Sequence, residues 1–411
     1  MGTVKSKITQ AKDAAANTSL AARLLPPMLG AKGERTYLLM VQNNAEVRST
    51  GGIAGSIAIL TAKKGKLSMG FQGSLQDLVQ FPEPVVAMTE DESRLFAPSL
   101  VTNLLDTNFT PDFPRTGQIV SAMVKKGLGV DLDGVISVDP VALSFVLAGT
   151  GPVELAKTPG VTLDQLNAVG VLLSSTYLLL PDRQAQDEIF KQAARSIFDV
   201  LAEGGGDPGL VVKGLVRGVA ENRVMVWSKR DREQDLIGPS GLSGALSRDD
   251  AATPHVGVYL GDAASTKMEY YLEHVTNLAA SRCLPGQIQE LTSSTQLRSR
   301  TPAKVDELPE AVTGDGKFTP KGTMRLIVRL YSPYRGGFTS VALDGKSQTV
   351  YADTHHGRNV TKVVLTLEPG STHTITTRMI TGKGQSGDAV LSTTPGVLPS
   401  RNDIRVPSAC R

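Results

Sequence analysis

A group of side chains able to bind an anion follows the first long apolar run of the chain. Arg48 offers a planar fork of N–H donors that suits phosphate or carboxylate, and Ser49 adds a hydroxyl beside it. Three glycines follow at once, and glycine allows the backbone to approach a ligand closely. The pattern indicates either a ligand-binding loop or a glycine-rich turn in which Arg48 pairs with Glu46 or another neighbour.

Acidic side chains farther along the chain could complete such a site. Asp77 could reach back toward Arg48, and Asp106 opens a stretch rich in oxygen ligands that also holds Asn108 and Asp112. Such oxygens can hold a hard cation, but the spacing lacks the glycine and the terminal acid of a calcium loop. The stretch by itself favours capping and turn roles over a metal site.

A polar helix face is the third source of candidate ligands. Arg183, Asp187 and Lys191 lie four residues apart on a predicted helix that follows Pro181, so they share one face. Taken alone, this spacing favours a solvated, salt-bridged face. The two cations could instead turn toward an anion held by Arg48.

The elements that must position these residues are those of a layered α/β domain. Apolar runs on either side of the Arg48 loop predict two buried strands, and a third strand over 66–71 pairs back as a hairpin. A short buried strand that begins at Gly134 leads into a helix, which gives a βα unit. Two further runs, Arg223 to Trp227 and His255 to Leu260, are predicted to extend the same sheet. We therefore predict an α/β/α domain with a mixed sheet.

The C-terminal part shows a different periodicity. Leu326, Val328 and Leu330 alternate with Arg325 and Arg329, which is typical of strands with one buried face and predicts a small β-sandwich. The predicted organisation is a helical segment over 1–30 that follows an upstream membrane anchor, an α/β domain over 31–283, a linker over 284–322 and the sandwich over 323–411.

Length and charge exclude several classes of protein. The 411 residues are more than one core usually serves. Lys plus Arg number 43 against 40 Asp plus Glu, without a basic stripe, so we expect no nucleic-acid partner. No apolar stretch of this sequence approaches the ~20 residues that span a bilayer.

The cysteines indicate the compartment. Cys283 and Cys410 are far apart, and Cys410 is next to the last residue. We predict a disulfide between them and hence an oxidising, extracytoplasmic location, with two unrelated thiols as the alternative.

Three motifs carry a resemblance through nearly the whole chain. The run Asn43–Gly52, the segment Pro111–Pro114 and the stretch Asp133–Leu143 resemble a family of actinobacterial cell-envelope proteins that is described only as a domain of unknown function. The resemblance implies a cell-envelope setting and no particular activity.

The order of elements is also similar, more distantly, to that of the LytR-CpsA-Psr phosphotransferases, which attach glycopolymers to cell walls from polyprenyl-pyrophosphate donors. Arg48-Ser49 stands where that family has Arg-Ser-Asp, Asp77 ends a counterpart of its Pro-Arg-Asp motif, and Lys191-Gln192 stands where it has Arg-Gln. The departures are Thr50 for the motif acid, Gln76 for one arginine and Glu188 for another.

This second resemblance implies the roles of the candidate residues. Arg48 would neutralise a phosphate, while Asp77 or Asp106 would hold Mg²⁺ or act on the acceptor hydroxyl. The implied ligand-binding residues are Asn43, Asn44, Glu46, Ser49, Arg183, Lys191 and Gln192.

Two functions remain open at this point. One is an envelope-anchored phosphotransferase, or a binding protein, for a polyprenyl-phosphate-linked glycopolymer or a cell-wall glycan. The alternative is a non-catalytic module of the envelope that binds a glycopolymer or a partner protein through the same pocket.

Overall fold

The first sheet is mixed and carries the Arg48 loop. A computed structural model of the chain describes residues 19–73, 80–155, 158, 160–248, 252–398 and 404–410. The strands of this sheet, in spatial order, are β3 (Lys66–Gly73), β2 (Gly51–Lys63), β1 (Arg35–Arg48), β4 (Gly134–Val138) and β7 (Met225–Ser228). Strand β3 pairs antiparallel with β2, which confirms the predicted hairpin. Strand β1 pairs antiparallel with β2 and parallel with β4, and α4 follows β4, which confirms the βα unit.

Helices cover both faces of this sheet. The helices of the described residues, in chain order and including those packed elsewhere, are α1 (19–28), α2 (Glu90–Leu95), α3 (Phe113–Leu128), α4 (Pro140–Thr150), α5 (Ala168–Gly170), α6 (Thr176–Leu179), α7 (Arg183–Ala202), α8 (Pro208–Ala220), α9 (Asp231–Ile237) and α10 (Glu310–Thr313). On one face Leu38 and Met40 pack against Ile119 of α3, and on the other Val41 packs against Ala142 of α4. The predicted α/β/α layering is therefore confirmed.

Short-range signals place the helix ends. Asp139 caps α4, since its carboxylate accepts from the Ala142 N–H at 2.7 Å. Asp182 caps α7 in the same way through the Ala185 N–H. At the other end of a helix, α3 stops at Gly129, whose φ of 70° suits glycine.

Two further sheets form the C-terminal sandwich. One has the order β13 (Lys346–Ser347), β12 (Gly337–Leu343), β16 (Thr372–Ile380), β10 (Ile288–Ser299), β9 (Leu272–Leu284). The other has the order β14 (Asp353–His355), β15 (Arg358–Leu367), β11 (Met324–Tyr334), β8 (His255–Asp262), β17 (Ala389–Thr393), β18 (Ile404–Val406). A two-stranded ribbon, β5 (Val153–Glu154) with β6 (Thr162–Leu163), stands apart. Val328 of one large sheet and Leu297 of the other share a core, which confirms the sandwich.

Two strand assignments made from the sequence are wrong. The run at His255 does not extend the first sheet, because β8 pairs with β11 and β17 inside the sandwich. The segment 284–322, predicted as a linker, contains β10, which lies between β9 and β16. Strand β8 is buried almost throughout, so its composition alone could not tell which sheet it joins.

The predicted disulfide is present. Cys283 near the end of β9 is bonded to Cys410, with Cα atoms 4.9 Å apart, inside the usual range for a disulfide. The bond ties the C-terminal end of the chain to the sandwich. Among the helices of the described chain, none has the length and apolarity needed to cross a membrane.

Candidate anion-binding site

Two irregularities in the β1–β2 ladder shape the Arg48 loop. The register shifts between Val41 and Gln42 and again between Asn43 and Val47, so the intervening residues leave the regular ladder. Gly52 is required in this geometry, because a Cβ there would lie 2.0 Å from the Asn43 carbonyl oxygen. The glycine signal in the sequence thus reflects a close backbone approach within the hairpin.

A buried amide network fixes the turn. The side-chain amide oxygen of Gln42 (Oε1) accepts from the Thr50 hydroxyl at 3.1 Å, from the Gly52 N–H at 3.0 Å and from the Asn108 amide at 3.0 Å. The Ser49 hydroxyl donates to the Phe109 carbonyl at 2.5 Å. Thr50 stands where the Arg-Ser-Asp motif has its acid, and its hydroxyl instead donates to Gln42 and stabilises the loop.

Arg48 is buried between two carboxylates. Its side chain contacts Asp106 at 3.6 Å and Asp262 at 3.9 Å, and its guanidinium lies 4.3 Å from the centre of the Phe109 ring. One Nη donates to the Val47 carbonyl at 3.0 Å. The buried Nε has no acceptor, and both ion-pair distances exceed those of a charge-assisted hydrogen bond. Among the described residues, the guanidinium thus has two long ion pairs and one buried donor, Nε, without an acceptor.

The carboxylate of Asp262 is an unusual partner. Burial raises its pKa to about 6, against the opposing effect of the Arg48 charge and of N–H donation from Ala264 and Ser265. Glu269 is buried nearby, and no other described residue donates to either of its oxygens. Burial raises the pKa of Glu269 well above its usual value, and the charge of Asp262 raises it further. This acidic pair therefore sits in a poorly solvated part of the site.

A second arginine, Arg329 of β11, lies on the other side of the junction. It is buried to 7% exposure, and its guanidinium lies 4.9 Å from the centre of the Phe96 ring and 5.6 Å from that of Phe109. Burial lowers its pKa, and the charge of Arg48 lowers it further. Arg329 of the sandwich and Arg48 of the first sheet therefore lie against the same ring, that of Phe109.

The remaining predicted ligands from β1 form a separate cluster. The Asn43 amide donates to the Tyr177 hydroxyl at 2.8 Å and to Glu46 at 3.3 Å, and Glu46 pairs with Lys267 at 3.2 Å. The pairing of Arg48 with Glu46 considered from the sequence is not found, because the carboxylates that contact Arg48 are Asp106 and Asp262.

Asn44 points in another direction. Its amide donates to Asp139 at 3.0 Å and to the Pro395 carbonyl at 3.2 Å. Asp139 also accepts from Arg223 at 2.8 Å in a fully buried ion pair. Asn44 therefore helps to join the first sheet to the sandwich.

Helix α7 supplies the other predicted cations. Gln192 bonds to Glu188 at 3.1 Å, and the Lys191 carbonyl accepts from Gln72. The positive charge of Arg183 lowers the pKa of the Tyr177 hydroxyl, but burial raises this pKa by more. These contacts place α7 beside the Tyr177 cluster, while Asp77 lies outside the described residues.

The described acids do not fit a Mg²⁺ site. No group of three His, Cys, Asp or Glu side chains comes together as metal ligands in the described part of the chain. Asp106 is turned to Arg48, and the motif acid is replaced by Thr50, whose hydroxyl is engaged with Gln42. Mg²⁺ is usually held through one or two carboxylates, and the Asp106 carboxylate at this loop faces a guanidinium instead.

A small cavity of about 50 Å³ adjoins the loop. It lies between the first sheet and the sandwich and is lined mainly by polar side chains, among them Ser49, Thr50, Tyr259 and Thr393. A larger open groove of about 610 Å³ lies elsewhere, along Leu178 and the segment 302–309.

Sequence reasoning missed Asp262, Glu269 and Arg329 as site residues. The alternation of β11 did place Arg329 on the polar face of its strand, and that was the available signal. At Arg329 this face is not solvated, because Phe96 and Phe109 cover the guanidinium.

The fold and site define an α/β protein with an attached β-sandwich and a buried arginine–carboxylate cluster at their junction. Residues 32–177, about a third of the chain, match the family model described as "Protein of unknown function (DUF4012)". No protein with a curated description matches the chain.

Several solved structures show a weak likeness. TagV from Bacillus subtilis is 12% identical with a TM-score of 0.29, over 51% of this chain and 81% of that one. A protein titled transcriptional regulator EF0465 from Enterococcus faecalis is 13% identical with a TM-score of 0.32, over 53% and 74%. Lin1025 from Listeria innocua is 14% identical with a TM-score of 0.29, over 51% and 78%. At these TM-scores the likeness supports no conclusion about activity.

Proposed function

We propose that this protein works in the cell envelope, outside the cytoplasm, and binds a phosphate or pyrophosphate group at Arg48. The ligand would be an envelope glycopolymer or its polyprenyl carrier, and the protein would hold it without transferring it. The observation that carries this proposal is the buried Nε of Arg48, which has no acceptor while the ion pairs of the guanidinium stay long.

The location rests on the disulfide and on the sequence resemblance. A bond between Cys283 and Cys410 is expected in an oxidising compartment and is rare in the cytosol. The motifs around Arg48 resemble those of envelope proteins, and this resemblance supplies the class of ligand.

The chemistry suits an oxyanion. Hydrogen bonds from a guanidinium to phosphate oxygens are short and charge-assisted, and Arg48 can offer its free Nε to one. An incoming anion would compete with Asp106, whose side chain is partly exposed, and with Asp262, whose raised pKa weakens its hold as a carboxylate. Ser49 could not help without giving up its bond to Phe109.

Binding without transfer is favoured by the departures from the related motif. Transfer from a polyprenyl-pyrophosphate donor would call for an acid where Thr50 stands, and Thr50 is committed to Gln42. We therefore assign no step to a metal ion, and we give Asp106 the role of an ion-pair partner of Arg48.

Calorimetric titration with inorganic pyrophosphate, and with a polyprenyl pyrophosphate in detergent, tests this function. Arg48→Gln should weaken binding by roughly 1.5 to 3 kcal/mol, the range for a hydrogen bond to a charged group. Arg300→Gln is the matched control, because Arg300 is exposed and its guanidinium pairs with Glu273 of the sandwich. Equal affinities for the two variants would refute the Arg48 site.

An activity assay addresses transfer. Incubation with a polyprenyl-linked sugar and Mg²⁺ should release neither phosphate nor pyrophosphate. Release that depends on the protein would show that it is a transferase and would overturn the binding-only proposal.

A further inference from the structure

Arg329 is a buried cation that has no hydrogen-bond or ion-pair partner among the described residues. No carboxylate, carbonyl or hydroxyl in the described part of the chain accepts from its guanidinium, and its Nη1 is fully enclosed. Its guanidinium instead makes cation–π contacts with the rings of Phe96 and Phe109. Cation–π contacts return only about 1 to 2 kcal/mol, which is less than the cost of burying an unpaired charge.

Arg329 also shares its surroundings with Arg48. Both guanidinium carbons lie within 6 Å of the Phe109 ring centre, at 4.3 Å for Arg48 and 5.6 Å for Arg329. Two like charges in one poorly solvated place repel each other, and an anion between them would relieve both. Arg48 has weak carboxylate partners, whereas Arg329 has none among the described residues.

This arrangement is costly in the absence of a ligand. An unsatisfied buried charge persists in a folded protein where function requires it, and such a residue commonly lowers stability. A merely structural arginine would be expected to have hydrogen bonds, as Arg358 does to the carbonyls of Ser332 and His255 at 2.8 and 2.9 Å.

We propose that Arg329 is the second half of the anion site, so that a ligand with two phosphoryl groups is held between Arg48 of the first sheet and Arg329 of the sandwich. This inference rests on the proposed function and adds to it a preference for two phosphoryl groups over one and a residue from another part of the chain. A diphosphate carries two phosphoryl groups, one for each guanidinium, whereas a single phosphate offers only one.

The test compares inorganic pyrophosphate with inorganic phosphate on the full chain. Affinities are measured by calorimetry, and the melting temperature of each variant is recorded without ligand. The wild-type protein should prefer pyrophosphate, and Arg329→Gln should lose at least about ten-fold in pyrophosphate affinity while its phosphate affinity changes little. Arg325→Gln, an exposed arginine on the same strand, should bind as the wild type does.

The unliganded melting temperature separates a binding role from a structural one. Arg329→Gln should melt no lower than the wild type, because the variant removes an unpaired buried charge. A clear drop in melting temperature with unchanged pyrophosphate binding would show that Arg329 is structural and would overturn the inference.

Other outcomes are also decisive. If Arg48→Gln weakens pyrophosphate binding and Arg329→Gln does not, the inference fails while the proposed function stands. If the wild-type protein binds neither anion, both fail. Should Arg329→Gln not fold, Arg329→Lys keeps the charge but loses the planar fork: weaker pyrophosphate binding supports the inference, and unchanged binding overturns it.

Discussion

Arg48 and Asp262 lie 3.9 Å apart across the junction between the first sheet and the sandwich. The pKa of Asp262 is raised to about 6 by burial, and the charge of Arg48 only partly offsets this effect. Asp262 is therefore charged at neutral pH and largely protonated at pH 5. The charged Asp262 carboxylate competes with an anion for Arg48. We therefore expect the affinity of the site for anions to depend on pH.

The first prediction concerns anion binding. Asp262→Asn should bind pyrophosphate more tightly than the wild type at pH 7.5, by on the order of 1 kcal/mol, since it removes a competing charge. The two proteins should bind alike at pH 5, where Asp262 is protonated. Both are compared at the same pH because pyrophosphate itself takes up protons in this range. An affinity gap that stays constant between pH 5 and 7.5 would contradict the assignment.

The second prediction concerns stability. A carboxyl group whose pKa is raised in the folded state stabilises the fold at low pH, and this contribution is lost as pH rises through about 6. Between pH 4.5 and 7.5 the wild type should lose about 2 kcal/mol of unfolding free energy relative to Asp262→Asn. Urea unfolding of both proteins across this range gives the difference. Because the charge of Asp262 contributes to the raised pKa of Glu269, both proteins carry Glu269→Gln in this comparison.

The third prediction tests the glycine loop. Gly52→Ala should destabilise the protein by about 3 kcal/mol, because its Cβ would overlap the Asn43 carbonyl, which is backbone and cannot swing aside. Gly55→Ala is the control, since its Cβ would meet the Asn43 side chain at an ordinary 3.5 Å. Thermal unfolding that ranks the two variants equally would show that the loop relaxes.

The fourth prediction concerns the buried ion pair of Arg223 and Asp139, which lie 2.8 Å apart. Arg223→Met should cost about 3 to 5 kcal/mol, because the variant leaves the Asp139 carboxylate buried without its cation. Arg217→Met removes an exposed partner of Glu221 and should cost about 1 kcal/mol or less. Denaturant unfolding of both variants checks the contrast, and a small effect of Arg223→Met would mean that Asn44 and the Ala142 N–H suffice for Asp139.

The fifth prediction concerns the disulfide. Cys283 and Cys410 close a loop with a sequence separation of 127, for which the chain-entropy model gives about 5 kcal/mol of stabilisation. Unfolding in the presence of a reductant should reveal a loss of this order, and the double variant with serine at both positions should behave as the reduced protein does. A protein insensitive to reductant would contradict this estimate.

The sequence by itself determined the local features of the fold. Apolar runs around the Arg48 loop set β1 and β2, Asp139 set the start of α4, and alternation in β11 set which side chains face the sandwich core. These features depend on neighbouring residues, whose periodicity and hydrogen bonding can be recognised in the chain. The disulfide was predictable as well, because the chain has only one pair of cysteines.

Tertiary structure decided which elements meet. A continuous buried run indicates a strand but not which sheet it joins, so β8 was assigned to the wrong sheet, and the polar strand β10 was taken for part of a linker. For the same reason Arg329 looked like a solvent-facing residue, although Phe109 covers it and Arg48 lies on the same ring. A charge becomes buried and unpaired only when distant segments pack over it, and that packing is a property of the whole fold.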